Sequence, residues 1–165
     1  MDAKKLERFL DTAKDLASSL DNFVNQQRLV SKAVRSKDWI ALEEALKRAE
    51  AASELVAAGE TERLEAWRAL LAEFMLPEDS SVYRVSLALP IDARNSLTDG
   101  YRELRLAGMR ARIENEALGS FVGASASMLG QTLEELFPER KGRVYGKSGK
   151  PKAAGGGSLV LNTAF

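Results

Sequence analysis

The sequence predicts an all-α fold: an elongated antiparallel helical bundle of three long helices with a short extra helix and a mostly irregular C-terminal tail. Three observations lead there. Apolar residues recur at three- and four-residue spacing through most of the stretch from Leu6 to Phe137, as they do along one face of a helix. The few interruptions carry residues that stop and restart helices, at Ser36-Lys-Asp-Trp39, Leu76-Pro-Glu-Asp-Ser-Ser81 and Pro90. These connections are short, which places successive helices side by side and antiparallel.

The first helix carries Leu6, Phe9, Leu10, Ala13, Leu16, Ala17, Leu20, Phe23, Val24, Val30 and Val34, a seven-residue repeat interrupted only by Gln27. Asp38 then reads as an N-cap, its carboxylate accepting a backbone N–H from the next helix. The second helix runs through Trp39, Leu42, Leu46, Ala49, Val56, Leu64, Trp67, Leu70, Leu71 and Phe74. Its middle is weak in large apolar residues, with Ala52, Ser53, Gly59 and Glu60 on the stripe, so a kink or a looser contact is expected near Gly59. Ser81 to Leu89 reads as a short helix ended by Pro90. Pro90 also opens the next helix, where its missing N–H leaves nothing unsatisfied. That third long helix continues through Leu97, Tyr101, Leu104, Met109, Ile113, Leu118, Phe121, Val122, Met128, Leu129, Leu133, Leu136 and Phe137 to Pro138. Residues 1–138 therefore form the helical bundle, and 139–165 a basic, glycine-rich tail.

Composition excludes several chemistries. With 165 residues, 45% hydrophobic and 29% charged, the chain suits one folded domain. It has no cysteine and no histidine, so disulfides, thiolate metal sites and the commonest general base are absent. Glu43-Glu44, Glu78-Asp79 and Glu134-Glu135 are adjacent in sequence and so point apart. They keep company with Lys and Arg as solvated faces do, and no pair has a reason to share a proton. An enzyme is not expected, nor a cofactor or metal. No run of about 18 apolar residues and no secretion signal is present, so a cytoplasmic protein without a membrane span is expected. The zero net charge divides into +5 over 139–165 and −5 elsewhere. A basic tail without aromatic residues arranged to read bases makes a solvated segment rather than a nucleic-acid arm.

The stretch GRVYGKSG, 142–149, ends like a phosphate-binding loop but lacks its frame. Four residues should separate the first glycine from Gly146-Lys-Ser148, and Lys141 stands where that glycine belongs. The flanking residues FPERKGR and KPKAAGGG supply neither the strand nor the helix on which such a loop depends.

A second stretch is unusual in the opposite sense. Between Glu116 and Glu134 lie seventeen uncharged residues, ALGSFVGASASMLGQTL, in a chain otherwise rich in charge. A solvent-facing helix surface would carry Lys or Glu, so this segment expects contact over most of its circumference, either inside the bundle or with a partner. Gly119, Gly123 and Ser127 form a small-residue ridge that lets another helix approach closely.

The arrangement resembles the FlgN family of flagellar export chaperones. The resemblance rests on the long N-terminal amphipathic helix, Trp67-Arg68 just ahead of Leu70-Leu71, and the Leu76-Pro77 break. It continues with Asn115-Glu-Ala-Leu118 leading into Phe121 and Val122, and with Tyr145-Gly-Lys-Ser-Gly149 in the tail. It implies a non-catalytic chaperone that binds the C-terminal amphipathic helices of the hook–filament junction proteins FlgK and FlgL, prevents their premature assembly and delivers them to the flagellar export apparatus. On this resemblance the client contacts are Leu118, Phe121, Val122, Met128, Leu129, Leu133, Leu136 and Phe137, with Val82, Val85 and Leu89 as one wall, and Tyr145 is the contact with the export gate. Two rivals share the physics: a self-associating coiled-coil scaffold, which would be a homo-oligomer, and a chaperone of another secreted filament protein.

Overall fold

The structure is a computed structural model that describes residues 3–136; the expected tail, 139–165, lies outside them. The described chain is all-α, with α1 over Ala3–Ser36, α2 over Trp39–Glu73, α3 over Val82–Leu87 and α4 over Ile91–Leu136. The chain divides into one compact unit up to Ser120 and another from Phe121 onward, so the boundary falls inside α4.

The helix ends are set locally. Lys37 (φ 55°) follows the end of α1 in the left-handed region. Its N–H bonds Val34 O at 3.1 Å and the next N–H, of Asp38, bonds Ala33 O at 3.1 Å. This doubled return satisfies carbonyls that the helix itself leaves open. Asp38 then caps α2, its Oδ1 accepting the Ala41 N–H at 3.0 Å. The same device closes α2: Met75 (φ 50°) takes the left-handed position, with Met75 N–H to Ala72 O and Leu76 N–H to Leu71 O. Ser81 caps α3 by accepting the Arg84 N–H. Arg94 reaches back from α4 to the carbonyls of Ser86 and Leu89, tying the α3–α4 corner.

α1 and α2 form an antiparallel hairpin in which large residues face small ones. Phe9, Leu16, Phe23 and Val30 recur every seventh residue in α1, and Ala45, Ala52, Gly59 and Ala66 do the same in α2. Phe9 and Ala66 share one core cluster. A Cβ placed on Gly59 would sit 3.4 Å from Leu16 Cδ1, which makes Gly59 a close contact. The antiparallel register carries this on, setting Phe23 against Ala52 and Val30 against Ala45. The weak middle of α2 is thus a tight joint rather than the looser contact expected there, and α2 is an unbroken helix through it.

The helices converge at the end where α1 begins. Leu6 and Phe9 of α1, Trp67, Leu70 and Leu71 of α2, Val85 and Leu89 around α3, and Leu97 of α4 make one buried cluster. The Phe9 and Trp67 rings lie 5.1 Å apart between centroids in a tilted pair. α4 runs parallel to α1 from there. Gly100 approaches Leu10 so closely that an added Cβ would lie 2.9 Å from Leu10 Cδ2. Farther along, Arg110 pairs with Asp21 at 2.8 Å and Arg28 with Glu114 at 3.2 Å.

Every residue of the expected α1 stripe is buried or half-buried, but the stripes of the other two long helices need correction. Trp39, Leu46 and Leu64 of α2 are exposed, as are Tyr101, Met109 and Ile113 of α4, whereas Ala45, Ala52, Ala66, Ala107 and Ala111 are buried. Bulky α1 side chains fill the interface, and the partners that fit against them are small.

Phe9→Ala removes a fully buried ring from the shared cluster and is expected to lower unfolding stability by about 3–5 kcal/mol in urea titration. Ala66→Leu, which overfills the opposite side of the same contact, is expected to cost about 1–3 kcal/mol. A smaller loss from Phe9→Ala than from Ala66→Leu would contradict the large-against-small packing.

Candidate partner-binding surface

The surface that stands out is built on α4. Its buried positions Leu97, Leu104, Ala107 and Ala111 follow the three-and-four spacing of a core-facing helix. The same spacing continues through Asn115, Leu118, Val122, Ser125, Leu129, Leu133 and Leu136. Burial does not continue with it. Leu118 and Phe121 are half-buried, while Val122, Met128, Leu129, Leu133 and Leu136 are between 48 and 71% exposed. The helix thus keeps an apolar pattern through residues that are largely exposed in the described chain.

The backbone and polar groups along this stretch leave the face apolar. Ser125 Oγ donates to Phe121 O at 2.9 Å and Thr132 Oγ1 to Met128 O at 2.9 Å, so both hydroxyls are turned back onto their own helix. Around Gly108, Gly119, Gly123 and Gly130 a Cβ would meet nothing within 4 Å. Packing within the described chain does not require these glycines, although each weakens the helix by about 1 kcal/mol relative to alanine.

The sequence-predicted positions divide accordingly. Val122, Met128, Leu129, Leu133 and Leu136 lie exposed along α4, and Leu118 and Phe121 are partly covered. Phe137 and Tyr145 lie outside the described residues. Val85 and Leu89, expected to wall the same groove, are instead 0 and 3% exposed in the core cluster. They hold α3 against α1 and α2 and are closed to a partner, while Val82 is half-buried against that cluster.

One polar contact was visible in the sequence only as an interruption. Gln27, which breaks the α1 stripe, is 2% exposed and donates Nε2–H to Asn115 Oδ1 at 2.8 Å. Its Oε1 is buried without a hydrogen-bond partner. A polar side chain in an apolar seam fits only where its partner stands opposite, so this pair marks the register of α4 on α1. The Asn115-Glu-Ala-Leu118 motif therefore begins with a residue that touches α1.

The clefts of the first unit are open, and each holds one ion pair: Arg48 with Glu44, Arg110 with Asp21, and Arg63 with Glu60. A cleft of about 310 Å3 lies among Leu20, Glu60, Arg63, Tyr101, Leu104 and Arg105. Within it Arg63 forks onto Glu60 at 2.7 and 2.8 Å, and this hydrogen bonding raises the guanidinium further above its ordinary range. Among the described residues no group of three His, Cys, Asp or Glu converges as metal ligands would, and no helix is long and apolar enough to cross a membrane. No family model, curated protein or solved structure matches this chain.

Two outcomes test this description. Leu129→Glu with Leu133→Glu is expected to leave the unfolding free energy within about 0.5 kcal/mol of the parent in urea titration, as exposed substitutions do, whereas Leu104→Glu is expected to unfold the chain. At the seam, Asn115→Ala strands the Gln27 amide and should cost about 1–3 kcal/mol in chemical denaturation. Gln27→Leu leaves Asn115, which is exposed, to water and should be neutral or stabilising.

Proposed function

We propose that this chain is a flagellar type III export chaperone of the FlgN type. In this reading it is a non-catalytic cytoplasmic protein that covers the C-terminal amphipathic helices of the junction proteins FlgK and FlgL, prevents their early assembly and delivers them to the export gate. The observation that carries the reading is the exposed apolar face of α4 formed by Val122, Met128, Leu129, Leu133 and Leu136. A client that polymerises through an amphipathic helix exposes an apolar stripe before it assembles. A second helix with an uncovered stripe of its own is the simplest cover for it.

The parts then take distinct roles. The α1–α2 hairpin and the cluster around Phe9 give α4 a rigid base, and the face from Phe121 onward receives the client. Tyr145 is the contact with the export gate, an aromatic that contributes large area at small ordering cost. The finer architecture of this reading is the elongated antiparallel bundle of three long helices with an irregular tail.

A second reading, a self-associating coiled-coil scaffold, is favoured by one feature. The open space around Gly119, Gly123 and Gly130 suits close helix approach whether the incoming helix is foreign or a second copy.

Isothermal titration of the full chain with a fragment carrying the C-terminal helix of FlgK tests the proposal. One-to-one binding at micromolar concentration or tighter is expected, weakened by about tenfold or more in the Leu129→Glu, Leu133→Glu chain that circular dichroism shows to be folded. Absence of binding by a folded parent chain would sink the chaperone reading. Concentration-dependent mass in sedimentation equilibrium, lost in the same double variant, would replace it with the scaffold.

A further inference from the structure

We infer that a second copy of this chain docks through the first unit, the outer face of α4 around Leu106, Met109 and Ile113 lying antiparallel on the face of its partner's α2 around Ala51, Leu55 and Ala58. This contact is separate from the face beyond Phe121 and does not depend on the chaperone reading.

Within the first unit, α4 carries a second apolar stripe. Its buried residues Leu97, Leu104, Ala107 and Ala111 mark one side of the helix. At about 100° per residue, Leu106, Met109 and Ile113 fall together on the opposite side. They are spaced by three and four as in a helix seam, and they are between 45 and 64% exposed. Arg102 continues the stripe and Arg105 flanks it; both are exposed and neither forms an ion pair among the described residues. The counterpart is on α2. Ala51, Leu55, Ala58, Glu62 and Glu65 follow one another at alternating spacings of four and three, and all five are exposed. They are turned away from the buried Ala45, Ala52 and Ala66, and Glu62 and Glu65 form no ion pair among the described residues.

The two stripes match in size and in charge. Laid antiparallel, Ile113 meets Ala51, Met109 meets Leu55, Leu106 meets Ala58 and Arg102 meets Glu62, while Arg105 lies between the levels of Ala58 and Glu62. A slip of seven residues one way sets Met109 and Leu106 against Glu62 and Glu65. The same slip the other way sets Ile113 against Glu44 and Arg102 against Leu55. Of these three registers only the first joins apolar to apolar and cation to carboxylate, so charge fixes the alignment. Large residues then stand against small ones, which is the packing that already joins α1 to α2. The occupant is a second copy because the chain itself carries both halves, cations and bulk on α4, acids and alanines on α2. Two different patches meet, so a pair closed by a two-fold axis makes the contact twice.

Sedimentation equilibrium of the full chain tests the contact. A mass rising toward that of a pair between about 1 and 100 μM is expected, with association weakening as salt rises. Two charge variants, each shown by circular dichroism to be folded, locate it: Arg102→Glu with Arg105→Glu, and Glu62→Lys with Glu65→Lys. Either variant alone sets like charges across the contact and is expected to associate about tenfold more weakly or worse. Mixing the two restores opposite charges at every such contact between unlike chains, and should return association to near the parent level. A parent chain that stays monomeric over that range, variants that associate as the parent does, or a mixture no stronger than its components would each overturn the inference. So would association that only Leu129→Glu with Leu133→Glu abolishes, which would move the contact to the later face of α4. FlgK binding is read separately, because neither charge variant alters the face from Phe121 onward. A chain that pairs without binding FlgK keeps this inference and loses that client, and a monomer that binds FlgK does the reverse.

Discussion

The first unit depends on one constraint, the fit of a bulky α1 ridge into a groove of small residues on α2. Phe9, Leu16, Phe23 and Val30 project at seven-residue spacing, and Ala66, Gly59, Ala52 and Ala45 lie opposite them in the antiparallel register. With almost no side chain on one partner, the backbones come close and Phe9, Leu16 and Val30 are buried, with Phe23 half-buried, which is where dispersion and burial are gained. The positive-φ residue Lys37 ends α1 and Asp38 caps α2 directly after it, so the hairpin closes without a loop that would shift its register, while Met75 ends α2 at the opposite end. Everything else in the unit is laid on this pair: α3 closes its open end through Val85 and Leu89, and α4 is seated along α1.

Much of this was legible in the residues, for reasons that also explain the failures. The α1 stripe could be read position by position because α1 contributes the large side chains, and size is what periodicity detects. Asp38, Ser81 and Pro90 were legible because their roles are local. The α2 and α4 stripes were misread at Trp39, Leu46, Leu64, Tyr101, Met109 and Ile113 because their inward positions are held by alanine and glycine. A pattern search passes over those residues, while the large apolar residues it follows sit outside. Gln27 was visible as an anomaly, but its meaning depended on Asn115, eighty-eight residues away, which no local rule supplies.

The candidate surface shows the converse. Its sequence signal was the absence of charge from Ala117 to Leu133, and absence alone fits either a buried core or a waiting interface. Exposure separates the two: this part of α4 retains core-like spacing without core-like burial. The glycines belong to the same picture. They lower the stability of a helix that the described chain does not crowd at those positions.

The seating of α4 has a mechanical consequence. Its inward side chains diminish along the helix from Leu97 and Leu104 to Ala107 and Ala111, where Arg110 pairs with Asp21, and beyond them the hold on α1 passes to Gln27–Asn115 and the Arg28–Glu114 ion pair. Leucine at the start and alanine later make a tapered adhesive joint, strongest beside the Phe9 cluster and weakest toward Ser120. Such a joint yields by peeling from its thin end, so a load applied there strains a few contacts at a time and leaves the α1–α2 hairpin intact. Between Ile91 and Ser120, contacts can thus be lost turn by turn from the later end without unfolding the cluster that anchors the start of α4.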